Sequence, residues 1–133
     1  MLTLDFARRC LAAAEEEAAG RGLKLSFVIV DAAGHLVAAA RMDGADWITP
    51  EVAFGKAWTA AAYKAPSAAQ GEKAQKLVAF SGAISAATGG RYTPQIGGLP
   101  IERDGEVIGA MGASGALGEE DEAVVRAALE RAG

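Results

Sequence analysis

Histidine and cysteine are nearly missing from this chain: His35 and Cys10 are the only ones among 133 residues. A lone cysteine excludes an internal disulfide, and together with a lone histidine it leaves too few ligands for a zinc site of three or four. Cys10 lies in "ARRCLAAA", on what reads as the packed side of a helix. Neither an activated thiol there nor a Ser/His/Asp triad around His35 is indicated. Long apolar runs are also absent, so no segment approaches a membrane span. The start, "MLTLDFARRC", runs into Glu15, Glu16 and Glu17 without the apolar stretch of an export signal. The expected setting is cytoplasmic and reducing, away from membranes. A surplus of positive charge is lacking too. The 17 acidic and 13 basic side chains are interspersed and give a formal charge of -4. With no basic stripe to follow a phosphate backbone, nucleic acid is not an expected partner.

What the chain has is apolar material, 51% of its residues, enough for one core and one domain over residues 1–133. Leu4, Ala7, Leu11, Ala14 and Ala18 recur at helical spacing behind a capping Thr3. "KLSFVIVD" alternates Leu25, Phe27 and Ile29 with Val28 and Val30, which predicts an inner strand covered on both faces. "AAG" then turns the chain into the strand "HLVAAARM", with Gly34 suited to a positive φ. Thr49 as cap and Pro50 at the first position predict a helix to about Tyr63. Pro66 ends it, and the capping box "SAAQ" opens another that closes at "ATGGRY". The segment "TPQIGGLPIERDGEVIGAMGASG" reads as about three strands, with Asp104 and Gly105 in a type I′ hairpin. "EEDEAVVRAALERAG" is a last amphipathic helix. The expected order is α-β-β-α-α-β-β-β-α, an α+β sandwich on an antiparallel sheet.

Within "VIGAMGASG", Gly109, Gly112 and Gly115 stand at every third position, where each costs backbone entropy. A phosphate loop is a poor account of them. Their spacing is GxxGxxG, and Glu119, Glu120 and Asp121 open the following helix, where they would repel an anion. Close packing of helices onto a small-residue strand is the better one.

Few side chains remain for chemistry. His35, just after the turn, is either a hydrogen-bonded turn residue or one axial ligand to a haem, which needs only one or two. Lys56, on a helix of small apolar residues, is either a surface lysine or an anion anchor or base. Arg91 and Tyr92 follow Gly89 and Gly90 and would meet Lys56 across a cleft lined by Thr93 and the Gly97 and Gly98 backbone.

Four blocks in order resemble the GlcG/HbpS-like proteins, a group that includes the C-terminal domain of PduO: "IVDAAGHLVAAARMDGA", "KAWTAAAYKAPS", "GGLPIERDGEVIGAMGASG" and "EEDEAVVRAAL". The resemblance covers essentially the whole chain. It implies a five-stranded antiparallel sheet packed with helices, similar to the profilin or roadblock arrangement, assembled into homo-oligomers, dimers or larger. It also implies haem binding, with His35 in "DAAGH" as the natural ligand to the iron. Three readings follow. One is a cytoplasmic homo-oligomer that binds haem or another tetrapyrrole, with His35, Gly97 and Gly98 contacting the ligand. Another is a cofactor-free isomerase, lyase or cyclase that uses Lys56, Arg91 and Tyr92 on a small oxygenated metabolite. The last is a ligand-free assembly module, built on small-residue faces with Trp47 and Trp58.

Overall fold

A computed structural model describes all residues, 1–133. Helix α1 (Leu4–Gly20) starts where the Thr3 hydroxyl oxygen accepts from the Phe6 N–H at 3.1 Å. Its buried stripe is Phe6, Ala7, Cys10, Ala14 and Ala18, turned slightly from the expected one, because Leu4 is exposed and Leu11 only partly covered. Strands β1 (Ser26–Asp31) and β2 (Leu36–Arg41) form the first hairpin. One oxygen of Asp31, Oδ1, accepts from the N–H groups of Ala33 and His35, and Gly34 has φ 84°. Helix α2 (Thr49–Tyr63) carries Pro50 in its first turn and ends at Lys64 in the left-handed region, φ 53°. Helices α3 (Ala68–Lys76) and α4 (Val78–Ala87) follow. Strands β3 (Gly98–Arg103) and β4 (Glu106–Ser114) turn at Asp104 and Gly105, both at positive φ as a type I′ turn requires, and α5 (Gly118–Ala132) closes the chain.

The sheet is antiparallel throughout, in the order β2-β1-β4-β3. Leu25, Phe27, Ile29, Met111 and Ala113 face α1 and α5, where Val124 and Val125 complete the larger core. Val28, Val30 and Ala110 face the alanines of α2. Strand β1 is therefore inner and covered on both sides, as its double alternation predicts.

Two expectations are corrected. The sheet has four strands and not five, and the element order is α-β-β-α-α-α-β-β-α. The missing strand is the stretch around Thr93–Ile96, whose backbone is engaged elsewhere. The Thr93 N–H donates to the Thr59 hydroxyl at 2.8 Å, the Gln95 carbonyl accepts from the Ser67 hydroxyl at 2.5 Å, and Pro94 has no N–H to offer a ladder. The helix expected after Pro66 is also two helices, broken at Leu77 with φ -116° and ψ 61°. Ser67 does not cap it. Its hydroxyl joins the Gln95 carbonyl to the Gly98 N–H, and so ties the start of α3 to β3.

The glycines of β4 answer to close approach. Gly112 and Gly98 are cross-strand partners, and together they leave a flat patch under α2. A Cβ on Gly112 would lie 2.3 Å from the Ala53 carbonyl oxygen, and one on Gly98 would lie 2.3 Å from that of Lys56. The α2 backbone rests directly on the sheet.

Candidate functional site

The expected site residues fall into two separate places. A groove of about 450 Å³ opens where β2 contributes Leu36 and Ala39, α2 contributes Pro50, Glu51 and Phe54, and the loop after α4 contributes Gly89, Gly90 and Arg91. A second hollow of about 510 Å³ shares Leu36, Phe54, Gly89 and Arg91 with the first, and adds His35, Trp58 and Thr88. The two form one continuous surface groove with His35 and Arg91 on it.

Local structure places both polar groups. The first hairpin aims His35 outward, with its side chain 79% exposed and its Nδ1 3.6 Å from Asp31 Oδ2. The His35 and Ala33 N–H groups hold the Asp31 carboxyl below its ordinary pKa, so it is a firm anion beside the imidazole. Trp58 lies against Gly34, where an added Cβ would come 2.8 Å from the indole, so the turn and α2 fit only with glycine there. Helix α4 ends at Thr88, and Gly89 and Gly90 at φ 66° and 81° reverse the chain. That leaves Arg91 exposed, with one guanidinium N–H on the Thr88 carbonyl at 3.1 Å.

Lys56, Gly97 and Gly98 lie elsewhere, in the interior. Lys56 is only 4% exposed. Its Nζ donates to Asp121 Oδ2 at 3.1 Å and to the Ala113 carbonyl at 2.9 Å, while Asp121 Oδ1 accepts from the Ala116 N–H at 3.0 Å. Gly97, at φ 138°, passes so close that a Cβ would sit 2.7 Å from Nζ. This pair joins α2 to the first turn of α5 past the end of β4. Burial raises the Asp121 pKa, and the Lys56 charge opposes the rise. Tyr92 is also buried. Its hydroxyl donates to Gln70 Oε1 at 3.3 Å, and its ring lies 5.8 Å from that of Tyr63. The structure thus brings His35 and Arg91 onto one groove, and groups Lys56 with Gly97 and Gly98 away from it.

Sequence reasoning missed Asp121, Phe54 and Glu51. Asp121 reads as part of a solvated acidic run, yet it shares helical spacing with Val124, Val125 and Ala128. Lys56 likewise shares the stripe of Ala53, Ala57 and Ala60. A charged residue in register with an apolar stripe was the signal for a buried pair. Phe54 is the one phenylalanine of an alanine-rich helix, and only the packed structure shows that its ring lines a groove.

No three His, Cys, Asp or Glu side chains converge as a metal site, and no helix is long and apolar enough to cross a membrane. The family model described as "Haem degrading protein HbpS-like" matches residues 2–130. Protein GlcG of Escherichia coli K12 is 33% identical over 114 residues, which cover 86% of this chain and 81% of GlcG. The crystal structure of a PduOC:heme complex superposes with a TM-score of 0.88 at 30% identity, covering 97% of this chain and 93% of that one. A Streptomyces reticuli HbpS double mutant superposes at 0.86 with 28% identity, covering 99% and 87%.

Proposed function

The chain belongs to the HbpS-like family, and from that premise we propose that it is a cytoplasmic homo-oligomer that binds haem or a related tetrapyrrole in the His35–Arg91 groove. The observation that carries this reading is the make-up of the groove. It has apolar walls at Leu36, Phe54 and Trp58, one imidazole and one exposed guanidinium, with the Glu51 carboxylate on the α2 side. A flat, largely apolar ligand with carboxylates at its edge calls for that combination. The two hollows, of about 450 and 510 Å³, lie within the ~300–1,000 Å³ usual for small-molecule sites.

The donor set fits a haem held through one protein ligand. With Nδ1 3.6 Å from Asp31, the imidazole has no short hydrogen bond to give up, and Nε2 is free to face the groove. The Asp31 carboxylate lies on the Nδ1 side of the ring, where it would steady the imidazole as a ligand. Arg91 receives a propionate as a charge-assisted, bidentate partner. Phe54 and Trp58 exclude water from one face. A bound haem would supply redox and small-ligand chemistry at its iron, while the chain's own groups bind and orient it. The single cysteine, Cys10, buried and with its thiol pushed up to about 11, accords with a reducing compartment and takes no part.

The test is a haemin titration of the purified protein beside His35→Ala, followed by absorbance. A saturable Soret shift of defined stoichiometry, weakened at least tenfold in the variant, is the expected result. A shift that does not saturate and is equal in both proteins would overturn the reading.

A further inference from the structure

Arg91 stands on a stretch that no helix or strand fixes. Residues 91–94 belong to neither kind of element, and Gly89 and Gly90 precede them at positive φ. A guanidinium there has a defined place only if something outside the stretch holds its backbone. Helix α2 supplies that hold. The hydroxyl of Thr59, a wholly buried residue of α2, accepts from the Thr93 N–H at 2.8 Å. One turn earlier stands Gly55, where a Cβ would run into the Thr93 side chain and come 3.1 Å from the Arg91 carbonyl oxygen. The Thr93 hydroxyl donates to that same carbonyl at 3.1 Å. The Thr88 hydroxyl accepts from the intervening Tyr92 N–H, also at 3.1 Å. Both amides that follow Arg91 are thus tied down.

The rows of α2 make this more than a local clamp. Phe54 and Trp58 are four residues apart and line the groove. Gly55 and Thr59 are also four apart, one residue further on, and so form the neighbouring row of the same helix, about 100° round from the first. One row makes the apolar wall, and the next seats the backbone that carries the cation. The spacing between wall and guanidinium is therefore set within a single rigid element. Thr59 does not itself line the groove, so whatever it does for a ligand passes through the stretch it holds.

We propose that Thr59 and Gly55 are positioning residues that set where Arg91 stands relative to the Phe54 and Trp58 wall, and so make the groove select flat ligands with a carboxylate at the edge over the same ligands without one. This rests on the reading of Arg91 as a carboxylate partner in the haem groove and names what gives that contact its specificity.

The test compares the affinities of the purified protein for haemin and for haemin dimethyl ester, whose propionates carry no charge. Wild type, Thr59→Val, Thr59→Ser and Arg91→Ala are titrated, with circular dichroism to verify the fold of each. Valine keeps the shape of threonine and removes the acceptor. Thr93 is only half-buried, so its freed N–H is within reach of water and the fold survives. Thr59→Val is expected to lose about three- to fivefold in haemin affinity, the scale of an exposed charge-assisted contact, and to bind the ester as the wild type does. Thr59→Ser keeps the hydroxyl and should restore haemin binding. Thr59→Val/Arg91→Ala should bind haemin no more weakly than Arg91→Ala alone, because the threonine acts through the arginine. Gly55→Ala, which pushes on the same stretch from α2, should lose haemin selectively in the same way.

Equal losses for haemin and its ester in Thr59→Val would reduce Thr59 to a structural residue and overturn the proposal. So would additive losses in the double variant, or a Thr59→Val protein with wild-type haemin affinity. A wild type that binds both ligands equally reads no carboxylate, which overturns the proposal while haem binding stands. A wild type that binds neither ligand saturably would overturn the haem reading itself, and the positioning role with it.

Discussion

Two pairs of charged groups in this protein share a chemical vocabulary and differ in everything else. Lys56 and Asp121 meet at 3.1 Å with both side chains almost wholly buried, and their remaining polar atoms are taken by the Ala113 carbonyl and the Ala116 N–H. His35 and Arg91 stand on a groove with exposed side chains and loose or local partners. The buried pair is closed off from solvent and bonded to its own chain, so its work is to hold two layers together. The exposed residues contribute little to the fold and, apart from the one Arg91 bond to Thr88, have donors open to the groove. A charged residue's burial, more than its identity, separates a structural role from a binding one in this chain.

The comparison breaks most visibly if the buried pair is halved. Asp121→Ala leaves an ammonium without a counter-charge and is expected to cost about 3–5 kcal/mol, read as a lower urea midpoint; Lys56→Met/Asp121→Leu should recover most of the loss. The pH dependence follows the same pair. The folded-state pKa of Asp121 lies above its ordinary 3.8, so its contribution is fully present below that value and is lost as pH rises through the folded pKa. Lys56→Met removes the opposing charge and lifts that pKa further. The variant should therefore lose stability more steeply than the wild type as pH is raised from acid toward neutral, whereas an equal slope would separate the two residues energetically.

Smaller in effect is Gly112→Ala, expected to cost about 1–3 kcal/mol because its Cβ would press on the α2 backbone. Gly105→Ala meets open space and is strained only by its φ, so the difference between the two variants in thermal unfolding isolates the close approach. On the groove the order is reversed between stability and binding. His35→Ala should leave the unfolding midpoint within ~0.5 kcal/mol of wild type while haemin affinity falls at least tenfold. Arg91→Ala should weaken haemin only a few-fold, and that loss should shrink in high salt as screening removes a surface ion pair. If Arg91→Ala destabilised the fold as much as Asp121→Ala, the division between the two regions would fail.

Local rules reached far into this fold. Thr3 as a cap, the Gly34 turn, Pro50 at the start of α2 and the Asp104–Gly105 hairpin follow from φ preferences and hydrogen bonding within a few residues, and the structure has each of them. The failures lie where partners come from far along the chain. Ser67 reads as a cap because "SAAQ" has the right spacing, but its hydroxyl is taken by Gln95 and Gly98, about thirty residues on. The expected strand before β3 is lost to the same contacts.

The sequence by itself determined the strand pair at each hairpin, the double covering of β1 and the family to which the chain belongs, since these depend on periodicity, turn chemistry and ordered motifs. The tertiary structure alone decided that Lys56 is buried against Asp121 and that His35 and Arg91 border one groove. It also decided that Val78 and Phe80 of α4 stand exposed. The reason is physical: a side chain's environment is set by what packs beside it, and α2, β4 and α5 meet only after the chain has closed on itself.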